Sequence, residues 1–367
     1  MTPIPNPTHD AADPKGLGLL AERLETIPSR LTALGEEPAF RQGNRRRPGR
    51  VVATGIGSSE AHARHLVGLL NRYTPVPAEY LPIGAFGTTS ALDHPDRTLV
   101  VFSQGLSSNA RMALSRRHRF AGRTLFTAST TAGLRAGGKA DRAEILERLV
   151  AEGTEVVPFP LEDEYTILIR VIGPAAGFLA ARLWAGTVEG GLLEPDPRRV
   201  AQEATRAYLA GTEAGRRLAD RVPGEGFPTG VVMPMSPSLL DRGQNLSCKF
   251  VEGFHQPAPA MMDLLQFAHG PFQQLVSRPR PVWVLHREDA VERDLLRRIR
   301  QMCTEVGLPL LHADTGLMAA DDLLPIEAEG LLNPVLLRLA ERLGIDQVRW
   351  PGKGQDGPLY HYTGPVE

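Results

Sequence analysis

The chain has 367 residues, 42% of them hydrophobic, and its 41 Lys and Arg residues almost balance its 42 Asp and Glu residues, for a net charge of -1. This length exceeds that of most single domains, so the sequence predicts two domains, each with an apolar core. A near-zero net charge gives no overall attraction to nucleic acid or to an anionic membrane surface. We therefore expect a small-molecule partner, with no nucleic acid and no membrane.

Two further features bear on where the protein works. Cys248 and Cys303 are its only cysteines, too few for a disulfide framework or for a zinc site built on thiolates. The first residues lack the basic and apolar segments of a signal peptide, and no later run approaches the ~20 apolar residues of a membrane span. These features predict a cytoplasmic location.

Strand-like and helix-like segments alternate in two stretches of the chain. Residues 1–45 are predicted to be a Pro-rich tail and a lead-in helix, followed by a first domain over residues 46–190. A helical bridge over residues 191–228 leads to a second domain over residues 229–345, and residues 346–367 form a Gly- and Pro-rich tail. Because alternating strands and helices build parallel sheets, the fold class is α/β.

The first candidate site follows the apolar strand that begins at Arg50. Gly57, Ser58 and Ser59 lie between this strand and a helix, where backbone N–H groups and the helix dipole attract an anion. A tight turn without a ligand is the alternative. A dinucleotide fingerprint would need a third glycine where Glu60 stands, and no P-loop lysine follows Gly57. The pattern therefore argues against a nucleotide-binding enzyme.

A second polar loop follows the next apolar strand and contains Ser103, Gln104, Ser107 and Ser108. Loops that follow parallel strands meet at the carboxyl edge of the sheet, where doubly wound folds bind their ligands. A pocket lined with hydroxyl groups suits a phosphate group. A hydroxyl that only caps the next helix is the simpler alternative, and it is compatible with binding.

Two candidate chemical groups lie in the second half of the chain. Lys249 and Glu252 are spaced i,i+3, which puts both on one face of a predicted helix. A surface ion pair is the simplest account, but the surrounding residues are largely apolar, and ionisable groups held there would have pKa values suited to proton transfer. A Gly-Pro pair follows His269, which would place its imidazole on a rigid loop.

These motifs occur together in an order that resembles one known family. The segments GIGSS, SQGLSS, CKFVEGFHQP and FAHGP follow one another in the chain. In this order they are similar to the motifs of the double sugar isomerase (SIS) family, which includes the isomerase half of glucosamine-6-phosphate synthase and related phosphosugar deaminases and deglycases. The resemblance spans roughly residues 18–360. It implies two tandem SIS domains, each a flavodoxin-like parallel β-sheet flanked by helices.

The resemblance also implies roles for particular residues. Glu252 matches the family's glutamate base, which moves a proton between C1 and C2 of an open-chain sugar, and Lys249 matches its lysine neighbour. His269 matches the ring-opening histidine, and Lys353 matches the tail lysine that closes over the sugar. The residues that match the loops for the phosphate and hydroxyl groups are Ser58, Ser59, Ser103, Gln104 and Ser108.

The sequence departs from the family pattern at three places. Gly105 and Leu106 follow Gln104 where the family usually has Ser-Gly, which removes one hydroxyl from the loop. Residues 167–171, Ile-Leu-Ile-Arg-Val, stand where the family has Val-Ala-Ser-Thr-Lys. Residue 2 is Thr rather than the nucleophilic cysteine of a glutaminase domain, so amination from glutamine is not expected.

Three reactions on a sugar or sugar phosphate stay open: aldose–ketose isomerisation, aminosugar deamination and deglycation, all through carboxylate-mediated proton transfer. The alternative is a non-catalytic SIS regulator that binds a sugar phosphate. Lys249, Glu252 and His269 favour chemistry, because a sensor needs no base. The resemblance further implies a homodimer in which His269 of one chain reaches the Glu252 site of its partner.

No cofactor and no catalytic metal are predicted. Neither His62 with His65 nor His361 forms a convincing set of metal ligands with nearby carboxylates.

Overall fold

The structure is a computed structural model, which describes residues 13–41, 46–88, 91–159 and 166–363. Two sheets lie within these ranges, and the pairings between their strands are parallel. In chain order the strands are β1 (Arg50–Thr54), β2 (Ala78–Tyr80), β3 (Asp93–Phe102), β4 (Arg119–Thr127), β5 (Glu155–Pro158), β6 (Val232–Met235), β7 (Ala260–Asp263), β8 (Val282–Val284) and β9 (Leu310–His312).

Helices follow most of the strands. They are α1 (Leu17–Leu34), α2 (Ser58–Tyr73), α3 (Ser108–Ala113), α4 (Thr131–Ala136), α5 (Ala140–Ala151), α6 (Ile172–Gly186), α7 (Pro197–Ala219), α8 (Pro237–Leu240), α9 (Gly243–Cys248), α10 (Pro271–Ser277), α11 (Ala290–Glu305), α12 (Leu324–Leu343) and α13 (Gly357–Tyr360). Within the described ranges, none of them has the length and apolar character needed to cross a membrane.

The chain divides into two compact units, each assembled from three segments. The five-stranded unit comprises residues 29–162, 173–203 and 351–367, and the four-stranded unit comprises residues 1–28, 163–172 and 204–350. Each unit holds one parallel sheet with helices around it. The α/β class with two parallel sheets, predicted from the alternation of strands and helices, is confirmed.

The five-stranded sheet has the strand order β2-β1-β3-β4-β5, which is the order of flavodoxin-like folds. The second halves of β3 and β4 and most of β1 are buried on both faces, as in a parallel sheet covered by helices, and Val52, Leu99, Val101 and Leu125 are fully buried. The strand order changes direction between β1 and β3, and in folds of this class ligands bind at the carboxyl ends of the strands at such a switch point. The two polar loops predicted from the sequence begin at these two strand ends.

The four-stranded sheet has the order β7-β6-β8-β9, and a tightly packed pair of helices accompanies it. A Cβ atom at Gly330 of α12 would overlap the backbone carbonyl of Tyr208 in α7, and one at Gly211 of α7 would overlap the carbonyl of Glu327. Glycine at these positions lets the two backbones come into contact. This close crossing is why α12 is buried along most of its length.

Candidate functional site

The loop after β1 turns sharply into the N-terminus of α2. A Cβ atom at Gly55 would overlap the carbonyl of Ser59, and Gly57 has φ +61°, a left-handed conformation that favours glycine. Ser58 and Ser59 are the first residues of this 16-residue helix and are partly exposed. The positive end of the helix dipole therefore faces solvent beside two hydroxyl groups, as the sequence suggested for an anion site.

The loop after β3 is held by its own serines. The Ser103 hydroxyl accepts a hydrogen bond from the Ser107 amide (3.1 Å), and Ser107 caps α3 by accepting one from the Ala110 amide (3.3 Å). Ser108 is buried, and the Gln104 side chain lies against the first turn of α6. The capping alternative is therefore observed at Ser107, and ligand binding by the same loop stays a prediction.

Leu106 in this loop combines a fully buried side chain with φ +50°. Its side chain packs in the apolar core of the five-stranded unit with Leu99 and Leu125. A residue with a Cβ atom in the left-handed region is strained by roughly 1–2 kcal/mol. Leu106 stands where the family pattern has glycine, so the loop keeps the glycine-type backbone while the side chain is anchored in the core.

A third polar loop, after β4, was not singled out from the sequence. The hydroxyl of Thr127 (3.1 Å) and the amide of Ala128 (3.0 Å) donate hydrogen bonds to the Gln104 carbonyl, which ties this loop to the loop after β3. Ser129 follows, and Thr130 caps α4. The signal was present in the sequence, because two Thr residues and a Ser again follow an apolar strand at the start of a helix.

The C-terminal tail is attached next to the same loop. Asn109, one residue after Ser108, donates hydrogen bonds to the backbone carbonyls of Leu359 (3.2 Å) and Tyr362 (2.9 Å). Lys353 lies exposed in the turn that precedes α13. The tail that carries the predicted lid lysine is therefore anchored by the side chain that follows the candidate phosphate loop.

In the four-stranded unit, Glu252 lies on a π-helical turn, Lys249–Gly253, that continues α9. Turns of this kind are rare and occur frequently at functional sites. A Cβ atom at Gly253 would overlap Leu336, so the turn packs directly on α12. The chain then reverses at His255, which has φ +51°. These constraints fix the backbone on which the Glu252 carboxylate is carried.

Gln347 links this turn to the segment that departs from the family pattern. Its side-chain amide donates hydrogen bonds to the carbonyls of Glu252 and Gly253 (3.1 Å each) and accepts one from the amide of Ile169 (3.1 Å). Burial raises the pKa of Glu252 above its ordinary value, and the positive charge of Arg170 partly opposes this shift. Glu252 is thus a half-buried carboxyl group that the positive charge of Arg170 influences.

Lys249 points into the core instead of toward solvent. Its side chain is 1% exposed, and its ammonium contacts the Glu329 carboxylate (3.0 Å) and donates a hydrogen bond to the Asn333 side chain (2.7 Å). Asn333 donates in turn to the Tyr208 hydroxyl (3.1 Å). The i,i+3 spacing predicted that Lys249 and Glu252 share one face, whereas the direct partners of Lys249 lie on α12.

His269 is exposed at the end of a short 3-10 turn, Gln266–Ala268, directly before α10. His255, which the sequence did not single out, has a buried Nε2 atom with no hydrogen-bond partner in the described part of the chain, and burial lowers its pKa. Across residues 13–41, 46–88, 91–159 and 166–363, no three His, Cys, Asp or Glu side chains form a group that could hold a metal ion.

The fold can be compared with solved structures. The structure of glucosamine-6-phosphate deaminase from Thermotoga maritima matches with a TM-score of 0.65 and 14% identity over 90% of this chain and 97% of that chain. The C-terminal domain of glucosamine-fructose-6-phosphate aminotransferase from Francisella tularensis gives 0.66 and 11% over 92% and 100%. Tagatose-6-phosphate ketose/aldose isomerase from Escherichia coli gives 0.65 and 16% over 94% and 98%.

No family model and no curated protein matches the sequence at a significant level. Identities of 11–16% with the three solved structures establish the fold alone. Each match covers nearly the whole of both chains, so both sheets are part of the likeness. The chain has the tandem SIS fold of phosphosugar isomerases and deaminases.

Proposed function

We propose that the chain is a sugar isomerase, or an aminosugar deaminase or deglycase, in which Glu252 transfers a proton on an open-chain phosphosugar. The observation that carries the proposal is the setting of Glu252 on a π-helical turn, half-buried, with a pKa that burial raises. A raised pKa makes a carboxylate a stronger base, and general bases work best with a pKa near the operating pH. A binding protein has no need of such a group.

In this proposal Glu252 takes a proton from the carbon next to the carbonyl or imine carbon of the open-chain substrate. The electrons of that C–H bond form a carbon–carbon double bond while the π electrons of the carbonyl or imine move onto its oxygen or nitrogen, which takes a proton from water. Glu252 then gives its proton to the former carbonyl or imine carbon, and the hydroxyl or amino group on the neighbouring carbon releases a proton to water as a new C=O or C=N bond forms there. If the carbon that loses the proton carries a hydroxyl group, this exchange interconverts aldose and ketose. If that carbon carries an amino group, the exchange turns it into an imine carbon, and water hydrolyses the imine to release the amine. His269 opens the sugar ring, and Lys353 closes over the substrate.

The loops of the five-stranded unit are proposed to bind the phosphate end through Gly57, Ser58, Ser59, Ser103, Gln104, Ser107 and Ser108. Support comes from the strand order, which changes direction between β1 and β3, because folds of this class bind their ligands at the carboxyl ends of the strands at that point. Replacing Ser103 and Ser108 by Ala is expected to raise KM more than it lowers kcat, because this contact is the same in substrate and transition state.

The decisive experiment begins with a thermal-shift screen of sugar phosphates, free sugars and N-glycosides, since a true ligand raises the melting temperature. Each ligand found is then incubated in deuterium oxide, and the label that enters C1 or C2 is measured by NMR. We expect Glu252→Gln to keep ligand binding and to lower exchange and turnover roughly 10²–10⁴-fold.

Glu292→Gln is the matched control for this variant. Glu292 is a second buried carboxylate of the four-stranded unit with a pKa raised by burial, but it accepts hydrogen bonds from Ser236 and Arg287. If Glu252→Gln exchanges deuterium as fast as this control, the proposed base is wrong. If ligands bind and none exchanges in the wild type, the chain is a sensor.

We also propose that the working unit is a homodimer in which His269 serves the Glu252 site of the partner subunit. The exposure of His269 supports this proposal. Mixing Glu252→Gln with His269→Ala protein after partial unfolding and reassociation would then restore activity, because each mixed dimer has one site with both residues intact. Mixed dimers without activity would restrict His269 to its own chain.

A further inference from the structure

A cavity of about 370 Å³ lies on the five-stranded unit, away from the loops described above. Its walls come from α3, α5 and the connection between α3 and β4. This connection enters β4 at its N-terminal end, whereas the Ser-rich loops leave the carboxyl ends of the strands. The cavity therefore shares no lining residue with the candidate phosphate loops, although Arg111 of its wall donates a hydrogen bond to the Leu106 carbonyl (3.4 Å). Its size is within the range of small-ligand pockets.

Four arginines line this cavity, and the negative charge beside them is small. Arg111, Arg116, Arg117 and Arg148 all contribute to its walls, with Glu152 as the one carboxylate among the lining residues that the structure describes. Guanidinium groups carry a fixed positive charge and bind phosphate oxygens in a bidentate geometry. The lining therefore has an excess of three positive charges.

The ion pairs among these groups leave a net positive charge in the cavity. Glu152 contacts Arg116 (2.8 Å), Arg148 (3.7 Å) and, from behind the cavity wall, Arg123 (3.9 Å), so three guanidinium groups share one carboxylate. Arg111 has Asp141 at 3.7 Å, and that carboxylate is largely exposed to solvent. Salt bridges within the cavity thus do not neutralise it.

Some groups at the cavity repel one another, although the carboxylate of Glu152 stabilises the charge of Arg116 and raises its pKa. Burial lowers the pKa of Arg123, the charge of Glu152 opposes this shift, and the charge of Arg116 adds to it. Burial likewise lowers the pKa of His118, with the charges of Arg117 and Arg123 acting in the same direction. A bound anion would relieve this repulsion.

We propose that this cavity is a second ligand site of the protein, one that binds a phosphate group, either free or carried by a small metabolite. The guanidinium groups would hold the phosphate oxygens, and the apolar part of the wall, with Phe86, Met112 and Ile145, would contact whatever the phosphate carries.

A ligand in this cavity would also contact the C-terminal tail. Thr363 forms part of the cavity wall, and Asn109 binds the backbone of the same tail at Leu359 and Tyr362. Occupancy therefore orders the tail beside the Ser108 loop. The proposal goes beyond the proposed function and does not depend on it, since the site acts on the tail whatever the loop binds.

In the test, inorganic phosphate is titrated into the full-length protein, and its binding affinity is measured by calorimetry in a chloride buffer of constant ionic strength. It uses the double variant Arg116→Gln/Arg148→Gln. Both side chains are more than half exposed, which protects the fold. The control is Arg297→Gln/Arg298→Gln, which removes two equally exposed arginines from α11. The variant Ser103→Ala/Ser108→Ala removes binding at the candidate phosphate loop.

We expect phosphate to bind the cavity in the wild type, in the control and in the serine variant, and to bind about tenfold or more weakly in Arg116→Gln/Arg148→Gln. Phosphate should also slow hydrogen exchange of residues 357–363 in every protein except that variant. Equal affinities in the cavity variant and its control would overturn the proposal. Loss of binding in the serine variant alone would confine phosphate to the loop.

Two probes distinguish the source of the phosphate group. In the serine variant, phenyl phosphate is compared with inorganic phosphate. Tighter binding of phenyl phosphate that depends on Arg116 and Arg148 supports a phosphorylated metabolite, since the ring then contacts the apolar wall. Equal binding supports free phosphate as the ligand.

Discussion

Leu106 offers a direct test of the candidate phosphate loop, because its backbone and its side chain make opposite demands. The side chain is fully buried, so Leu106→Ala is expected to lower the free energy of unfolding by about 2–5 kcal/mol. The backbone has φ +50°, where alanine is strained and glycine is not. Leu106→Gly should therefore be more stable than Leu106→Ala by about 1 kcal/mol.

Leu125 is the matched control, since it is equally buried in the same core but lies in β4. In an extended strand glycine is less stable than alanine by roughly 0.5–1 kcal/mol, so the order of the two variants should reverse between the sites. Urea unfolding followed by circular dichroism gives the four free energies. If alanine is the more stable replacement at both positions, Leu106 does not have a left-handed backbone, and the reasoning fails.

Three further predictions concern the four-stranded unit, and the control for the third lies in α2 of the five-stranded unit. Burial raises the pKa of Glu252 in the folded state, so its carboxyl group contributes its full stabilisation when the pH is below the unfolded-state pKa. This stabilisation is lost as the pH rises through the raised folded-state value. Thermal melts should thus give Glu252→Gln the higher Tm at pH 7, with the difference vanishing near pH ~4. Glu329→Gln leaves Lys249 with one partner fewer and should cost about 3–5 kcal/mol in urea unfolding, more than Lys249→Met/Glu329→Leu together. Gly330→Ala should destabilise because its Cβ atom overlaps α7, whereas Gly68→Ala in α2, with no atom within 4 Å, should stabilise by roughly 0.5–1 kcal/mol. A Tm difference that does not change with pH would contradict the first of these predictions, and a double variant less stable than Glu329→Gln would contradict the second. Equal effects of the two alanine variants would contradict the third.

Local sequence patterns were enough to identify the parallel α/β architecture and the polar loops. The apolar runs that end at Thr54 and Phe102 are continuous because a parallel sheet is buried on both faces, and glycine or serine follows each run where a helix must begin. The same pattern occurs after β4, where Ser129 and Thr130 follow an apolar strand. Such features depend only on neighbours in the chain.

The partners of individual side chains depend on contacts far apart in sequence. Lys249 pairs with Glu329, 80 residues later, so its spacing from Glu252 did not determine its role. Asn109 binds the tail about 250 residues away. The arginines that line the 370 Å³ cavity come from two helices and a connection, and a balanced total charge conceals them.

The sequence by itself determined the fold class, because periodicity and strand–turn–helix order are local properties of a chain, and its resemblance to a known family pointed to Glu252 as the candidate base. Only the tertiary structure decided that the backbone at Leu106 is left-handed, that Lys249 is buried, and that charge collects around Glu152. The physical reason is that burial and electrostatic energy are set by the groups that folding brings together, and these groups are not neighbours in sequence.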